Sequence, residues 1–289
     1  MRERFDAFLR GTPSAPALMP LVETLAPRVA GTTAEALAAD ATLRGNASLR
    51  AARLLEAEAV LLGFDIGIAA AACRESPAAP AGTAGFAQLA ATLDRLVQTE
   101  RTHTGIVAAL CGPATLAAAL AGNPNPEALA AAKQYSTALA EALCRQRPDL
   151  LVLRENAALF AGGLGTAQRK AYGTLKNVVD YFDVPLALWI EGWEAATVAD
   201  ACRLKLPILL LGPDADGNAA APELASRLAA ELDGIGLALP FAELARACSL
   251  ASAYRAALGE RACLFTSLQD LPADSDLEAL RALATRLAG

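Results

Sequence analysis

The sequence predicts an α/β protein built as a single (β/α)8 barrel, and three observations predict it. Eight short, nearly continuous apolar runs recur along 289 residues, as strands buried on both faces do. The stretches between them are rich in Ala, Leu, Glu and Arg and suit helices. Eight such alternations fill roughly the 250 residues typical of this barrel. A doubly wound open sheet shares the alternation, and only closure of the ring separates the two.

Taken in order, the opening "MRERFDAFLR" sets Phe5, Phe8 and Leu9 at the spacing of a short amphipathic helix. Arg and Glu stand there where a secretory signal would need an apolar run. The strand-like runs follow: "ALMPLV" (17–22), "AVLLGFD" (59–65), "HTGIVAAL" (103–110) and "LLVLREN" (150–156). The second four are "VPLALWIE" (184–191), "PILLLGPD" (207–214), "IGLALPF" (235–241) and "ACLFTSL" (262–268). Between the first two lies "TTAEALAADATLRGNASLRAARLLEAE", where Thr33 is expected to cap a helix and Glu35 sits in its first turn. The last strand leads to "SDLEALRALATRLAG", with Ser275 as the expected cap. "ESPAAPAGTAG" (75–85) is too short to divide the chain, so residues 1–289 read as one domain.

Composition narrows the function classes. The chain is 54% hydrophobic and 19% charged, enough apolar material for a sizeable core. No apolar stretch nears the roughly 18 residues of a membrane span, so no membrane partner and a cytoplasmic location are expected. A net charge of −6 disfavours a grip on phosphate backbones, and no nucleic-acid partner is expected. The six cysteines are widely separated, without a CxxC pair, and read as buried and reduced.

Barrel active sites gather at the C-terminal ends of the strands. The polar groups at those ends are Glu23, Asp65, Glu155 with Asn156, Glu191, Asp214 and, around strand 8, Thr266, Ser267 and Gln269. A strand-end acid taken alone commonly meets solvent or caps the next helix. Asp65 and Glu191 each finish a strongly apolar strand, and both are expected in a shared pocket. His103, the one histidine, opens strand 3 at the opposite end and reads as a structural or surface residue. "FAGGLGTAQRKAYG" (160–173) lacks the GK[ST] of a phosphate loop and reads as a mobile loop over the mouth, with Arg169 and Lys170 available to a ligand anion. Gly212 to Gly217 reads as a turn rather than a calcium loop.

Several segments together resemble the uroporphyrinogen decarboxylase superfamily, which includes the corrinoid-dependent methyltransferases that load thiols such as coenzyme M. They are "RERFDAFLRGTP", the run from "PALMPLVETLAPRVAG" through "LLGFDIGIAAAA", "CGPATLAAALAG" and "LFTSLQDLPADSDLEALRALATRL", with 75–100 shortened. The resemblance implies a (β/α)8 barrel. It also implies a thiol-activating zinc held by a His-x-Cys-Gly stretch at strand 5 and a further Cys near the C-terminus. Here the His position is Trp189, the first Cys position Glu191 and the second Gln269. An indole cannot ligate a metal, and a Glu–Gln pair is a weak oxygen site, so no bound metal is expected.

For the decarboxylase branch the resemblance implies an Asp at the end of strand 2, matched by Asp65. Of two substrate-gripping arginines only Arg28 has a counterpart. Thr24 stands for the other, Ala119 for a Tyr, and no C-terminal His exists. Arg28, Glu155, Trp189 and Trp193 are the expected substrate contacts, the two indoles as stacking faces for a tetrapyrrole or corrin ring. Asp65, Glu191 and Gln269 are the expected catalytic set, with Glu191 as base or acceptor in place of metal activation.

Three functions follow. The first is a zinc-independent relative of the corrinoid methyltransferases, with a corrinoid (cobalamin) as co-substrate or a corrinoid protein as partner. The second is a non-catalytic barrel that binds a tetrapyrrole, a corrinoid or another small molecule, or serves as a partner protein. The third is a decarboxylase of a pyrrole polycarboxylate.

Overall fold

In the computed structural model, which describes residues 2–160 and 163–288, eight parallel strands follow one another around a barrel. They are β1 (Ala17–Leu18), β2 (Ala59–Leu62), β3 (Gly105–Cys111), β4 (Leu150–Asn156), β5 (Leu186–Glu191), β6 (Ile208–Leu211), β7 (Gly234–Leu239) and β8 (Leu264–Ser267). Each falls inside its predicted run except β3, which ends one residue beyond 110, and β7, which begins one residue before 235. The ladder runs from β2 through β3 to β8 and on to β1, all parallel.

The seam between β1 and β2 closes by an unusual route. The Glu58 amide donates to the Leu18 carbonyl at 2.9 Å. The Leu18 amide donates in turn to the Glu58 carboxylate at 2.6 Å, so a side chain supplies the acceptor a ladder would. Arg4 of the first helix (Glu3–Arg10) pairs with the same carboxylate. This closure makes the molecule a (β/α)8 barrel and removes the open-sheet alternative. β1 is shorter than its run because Pro20 has no amide to give. The next amide, Leu21, reaches the Ser267 hydroxyl at 2.9 Å instead of a carbonyl.

Alternate residues of each strand face inward. Met19, Leu61, Val107, Val152, Trp189 and Leu210 belong to one apolar cluster filling the barrel. Their neighbours in sequence join a larger cluster between sheet and helices. Phe5 and Phe8, both fully buried, carry the first helix into the barrel floor. Gly105 is required there, since a Cβ would run into the Phe5 ring. That helix stops at Gly11, whose φ of 62° is left-handed.

Most local signals work as expected, and two do not. Thr33 caps its helix, accepting from the Ala36 amide at 3.2 Å. The long Ala-rich stretch breaks at Asp40, which caps a second helix, Ala41–Leu54. The terminal helix (Leu277–Ala288) is capped by Asp276 rather than Ser275, whose hydroxyl turns back to the Pro272 carbonyl. In the Gly-rich stretch, Ala161 and Gly162 lie outside the described residues. From Thr166 the chain is a helix to Tyr181, and Arg169 and Lys170 stand exposed on it, away from the mouth cavity. Asp214 organises the Gly212–Gly217 turn by accepting from the amides of Asp216 and Asn218. His103 is exposed in the turn before β3. No helix among the described residues is long and apolar enough to cross a membrane.

Candidate functional site

A cavity of about 910 Å³ opens at the C-terminal end of the barrel. The strand period of two decides what enters it. On β4, Leu150 and Val152 face inward, so Arg154 does too, while Glu155 must face the helices. On β5, Trp189 and Glu191 share the inward face. In register, Arg154 lies beside Trp189, and Glu191 lies one step nearer the mouth.

The centre of the cavity is an ion pair. Arg154 grips Glu191 through Nε at 3.2 Å to Oε2 and through Nη2 at 3.0 Å to both oxygens. Arg154 also donates to the Phe64 carbonyl at 2.8 Å and lays its guanidinium 4.1 Å above the Phe64 ring. Both charges are about a quarter exposed, so the pair faces the cavity yet is shielded from bulk water. Glu191 thus ends β5 pointing into the cavity with its oxygens already occupied.

Glu23 stands at the β1 exit and is equally engaged. Its oxygens accept from the Gly63 and Phe64 amides at 2.8 Å each and from Arg44 at 3.0 Å. This locks the β2 exit, where Gly63 has a φ of 82° that suits glycine. Asp65 follows, exposed on the rim, and caps the helix Ile66–Glu75 by accepting from the Gly67 amide at 2.8 Å. It does both things weighed for it, lining the cavity and capping a helix.

Across from these, Asp270 accepts from the Thr24 amide at 2.8 Å and the Thr24 hydroxyl at 2.5 Å, both on Oδ2. Its Oδ1 is buried without a partner. Burial raises the Asp270 carboxyl above its ordinary range; the Thr24 bonds oppose this and the nearby Glu23 charge adds to it. Arg28 reaches over the same edge and donates to the carbonyls of Ala273 and Ser275 at 2.7 and 2.6 Å. Gln269 is exposed beside them, and among the described residues its amide has no hydrogen-bond partner.

Of the expected residues, the cavity brings together Asp65, Glu191, Gln269 and Arg28. The other three lie elsewhere. Glu155 is fully buried on the outer face of β4. There it accepts from the amides of Ala114 and Thr115 at 3.0 and 2.8 Å, from the Thr115 hydroxyl at 2.5 Å and from the Tyr172 hydroxyl. Burial raises its carboxyl, with the Thr115 and Tyr172 bonds pulling the other way. It anchors the helix Pro113–Ala121, and Gly112 has no Cβ because one would overlap that carboxylate. The "GPATL" segment is therefore a receptor for a buried glutamate.

Trp189 is fully buried, edge-on to Phe64 with centroids 5.2 Å apart. Trp193 is 7% exposed and donates to the Gly212 carbonyl at 2.8 Å. Neither offers a face to the cavity. Arg154, Arg44 and Asp270 are the site residues that the strand-end survey missed. Counting inward positions along "LLVLREN" would have found Arg154. Arg44 and Asp270 come from a helix and a loop, where no period points.

The cysteines supply no nucleophile here. Burial pushes the Cys73 thiol up to about 11 and the thiols of Cys144 and Cys263 up to about 12. None of the six lines the cavity. Among the described residues, no group of three or more His, Cys, Asp or Glu side chains is arranged to hold a metal ion.

No protein-family profile and no curated protein matches the chain. Among solved structures the chain is similar to a methyltransferase from Methanosarcina mazei, with 13% sequence identity and a TM-score of 0.76. The superposition covers 99% of this chain and 98% of that one. At that identity the likeness is one of fold, and it extends over nearly the whole barrel.

Proposed function

We propose that this chain is a zinc-independent relative of the corrinoid-dependent methyltransferases, whose mouth cavity receives the methyl acceptor. The supporting observation is the convergence of Asp65, the Arg154–Glu191 pair and Gln269 on one cavity, in a barrel with the fold of a methyltransferase. The positions at which the resemblance places zinc ligands hold a buried indole, a carboxylate already gripped by arginine and a carboxamide. That donor set does not fit zinc. Nor does either indole offer a corrin ring a stacking face in the cavity. Both indoles are buried, and the Phe64 face is covered by Arg154. No residue is therefore assigned to a corrinoid, and the roles given below concern the acceptor alone.

Transfer of a methyl group from a methylated corrinoid to an O–H, N–H or S–H acceptor would form one acceptor–carbon bond, break the donor's cobalt–carbon bond with both electrons left on cobalt, and release the acceptor's proton. Glu191 suits this poorly as a base, because Arg154 occupies both of its oxygens. Asp65 accepts one amide bond and keeps an oxygen free at the rim, so Asp65 takes the proton. Arg154 and Glu191 then position the acceptor. The test is transfer of labelled methyl from methylcobalamin to small thiols, alcohols and amines, with and without chelator. Chelator is expected to leave the rate unchanged and Asp65→Asn to lower it about 10²-fold. A rate abolished by chelator, or untouched in Asp65→Asn, contradicts the proposal.

A second reading, a ligand-binding barrel without turnover, draws support from the same pairing. Glu23 and Glu191 are held in ion pairs and Arg28 is held by two carbonyls. It predicts saturable binding with no product. The decarboxylase reading loses ground, because Arg28 is the one counterpart of the carboxylate-gripping arginines and its Nη1 is already engaged. Release of carbon dioxide from uroporphyrinogen would restore it.

A further inference from the structure

One flank of the mouth cavity is used by none of the roles above. It is formed by the long β1–β2 connection, through the helices Ala26–Ala30, Ala34–Ala39 and Ala41–Leu54. Ala26, Pro27, Ala34 and Leu37 give it apolar surface. The third helix adds Arg44 and Ser48, which also line the cavity. They stand one turn apart, so they share a helix face.

Ser48 is 3% exposed, yet its hydroxyl has no hydrogen-bond partner among the described residues. A hydroxyl in a helix commonly returns to the carbonyl one turn back, as Thr92 does to Gln88 at 2.8 Å. Ser48 makes no such bond. Nor is its oxygen sealed off like the Oδ1 of Asp270, because Ser48 opens onto the cavity. A shielded hydroxyl without a partner is unfavourable, and a ligand oxygen placed beside it relieves that cost.

Arg44 is placed to act with it. Its side chain is 15% exposed, and its Nη2 donates to Glu23 at 3.0 Å. Its Nε and Nη1 have no partner among the described residues. Glu23 therefore fixes the guanidinium without occupying all of its donors, while both Glu23 oxygens are filled by Arg44 and the Gly63 and Phe64 amides. Arg28 lines the same flank, with carbonyls and no carboxylate as its partners among the described residues. Unused donors gather here, so the complementary ligand group is an acceptor.

We propose that this flank is a binding subsite for an oxygen acceptor, the carboxylate or carbonyl of a compact apolar molecule, held by the Ser48 hydroxyl and the Arg44 guanidinium. The apolar body lies against the alanines and Leu37. This goes beyond the methyl-transfer reading and does not rest on it, since the subsite serves a ligand that is turned over or one that is only held.

The test titrates benzoate, benzamide and benzylamine into the whole protein by ligand-observed NMR. Benzylamine has the ring without the oxygen and is expected to bind at least about tenfold more weakly than the better oxygen ligand. Ser48→Ala is expected to weaken that ligand about three- to tenfold, the loss of one hydrogen bond. The urea midpoint of Ser48→Ala is expected to be unchanged or higher, because the hydroxyl bonds nothing in the free protein. Arg44→Lys keeps a charge beside Glu23 but loses the planar fork, and it too is expected to weaken the oxygen ligand. Benzoate binding tighter than benzamide assigns the carboxylate, and the reverse order the carbonyl. Benzylamine binding as well as both, or oxygen ligands indifferent to Ser48→Ala and Arg44→Lys, overturns the subsite. So does a lower urea midpoint in Ser48→Ala with affinity unchanged, which would make the hydroxyl structural. Absence of binding by both oxygen ligands overturns it as well and leaves the methyl-transfer reading to its own labelled-methyl assay.

Discussion

Arg154 and Glu191 show how one ion pair can serve a cavity without serving as its acid or base. Each charge would be poorly solvated alone at the mouth, and together they form a fixed polar floor. A double-mutant cycle with Arg154→Met and Glu191→Gln, followed by urea unfolding, is expected to give a coupling of about 1–2 kcal/mol, above an ordinary surface pair because the contact is multidentate. Asp270 makes a pH prediction. Burial holds its carboxyl above the ordinary 3.8, so the folded protein binds that proton more tightly than the unfolded chain. Its contribution to stability is therefore fully present below about 3.8 and is lost as pH rises through the higher folded value. Asp270→Asn keeps an acceptor for Thr24 and cannot ionise. Its melting temperature relative to wild type is expected to climb as pH rises from 3.5 to neutrality; a flat difference contradicts the assignment. Residue-level roles were the least legible part of the sequence. Glu155 and Glu191 look alike as strand-end acids, yet one residue of parity sends Glu155 to the helix layer and Glu191 to the cavity.

The elements show how such outward acids are used. Glu155 ties β4 to the turn after β3, and Gly112, Pro113 and Thr115 shape the receiving end of that helix. Glu155→Ala leaves buried amide and hydroxyl donors without an acceptor and is expected to cost about 3 kcal/mol in urea unfolding. Gly112→Ala is expected to cost a similar amount, because its Cβ displaces the carboxylate. In a Glu155→Ala background the Gly112 substitution should cost less than about 1 kcal/mol. Additive costs would show that the two residues act separately. Strand positions were legible because buried parallel strands leave long apolar runs, and six of eight observed strands sit inside the runs read for them, the other two overstepping by one residue. Strand ends were less so. β1 shrank to two residues because Pro20 and the hydroxyl of Ser267 replace ladder bonds that a hydrophobicity pattern cannot report. The helix cap moved from Ser275 to Asp276 for a similar reason: neighbouring oxygens compete, and geometry selects one.

At the scale of the molecule, closure of the ring gathers residues from positions 23 to 270 at one mouth. The alternation predicted the ring, but its seam rests on Glu58 and Arg4, a pairing between distant residues that sequence spacing does not display. The same limit explains the tryptophans. Their place beside Glu191 in sequence suggested a stacking platform, whereas the inward pleat buries Trp189 beneath Phe64 and the turn after β5 buries Trp193. What the mouth presents instead is a cavity with the Arg154–Glu191 pair at its centre and Asp65 on its rim. Transfer of labelled methyl from methylcobalamin to small thiols, alcohols and amines, compared between wild type, Asp65→Asn at the mouth and His103→Ala at the opposite end of the barrel, tests that placement most directly. A rate lowered about 10²-fold in Asp65→Asn and unchanged in His103→Ala is the predicted result. A rate untouched in Asp65→Asn, or lowered equally in His103→Ala, would contradict the account.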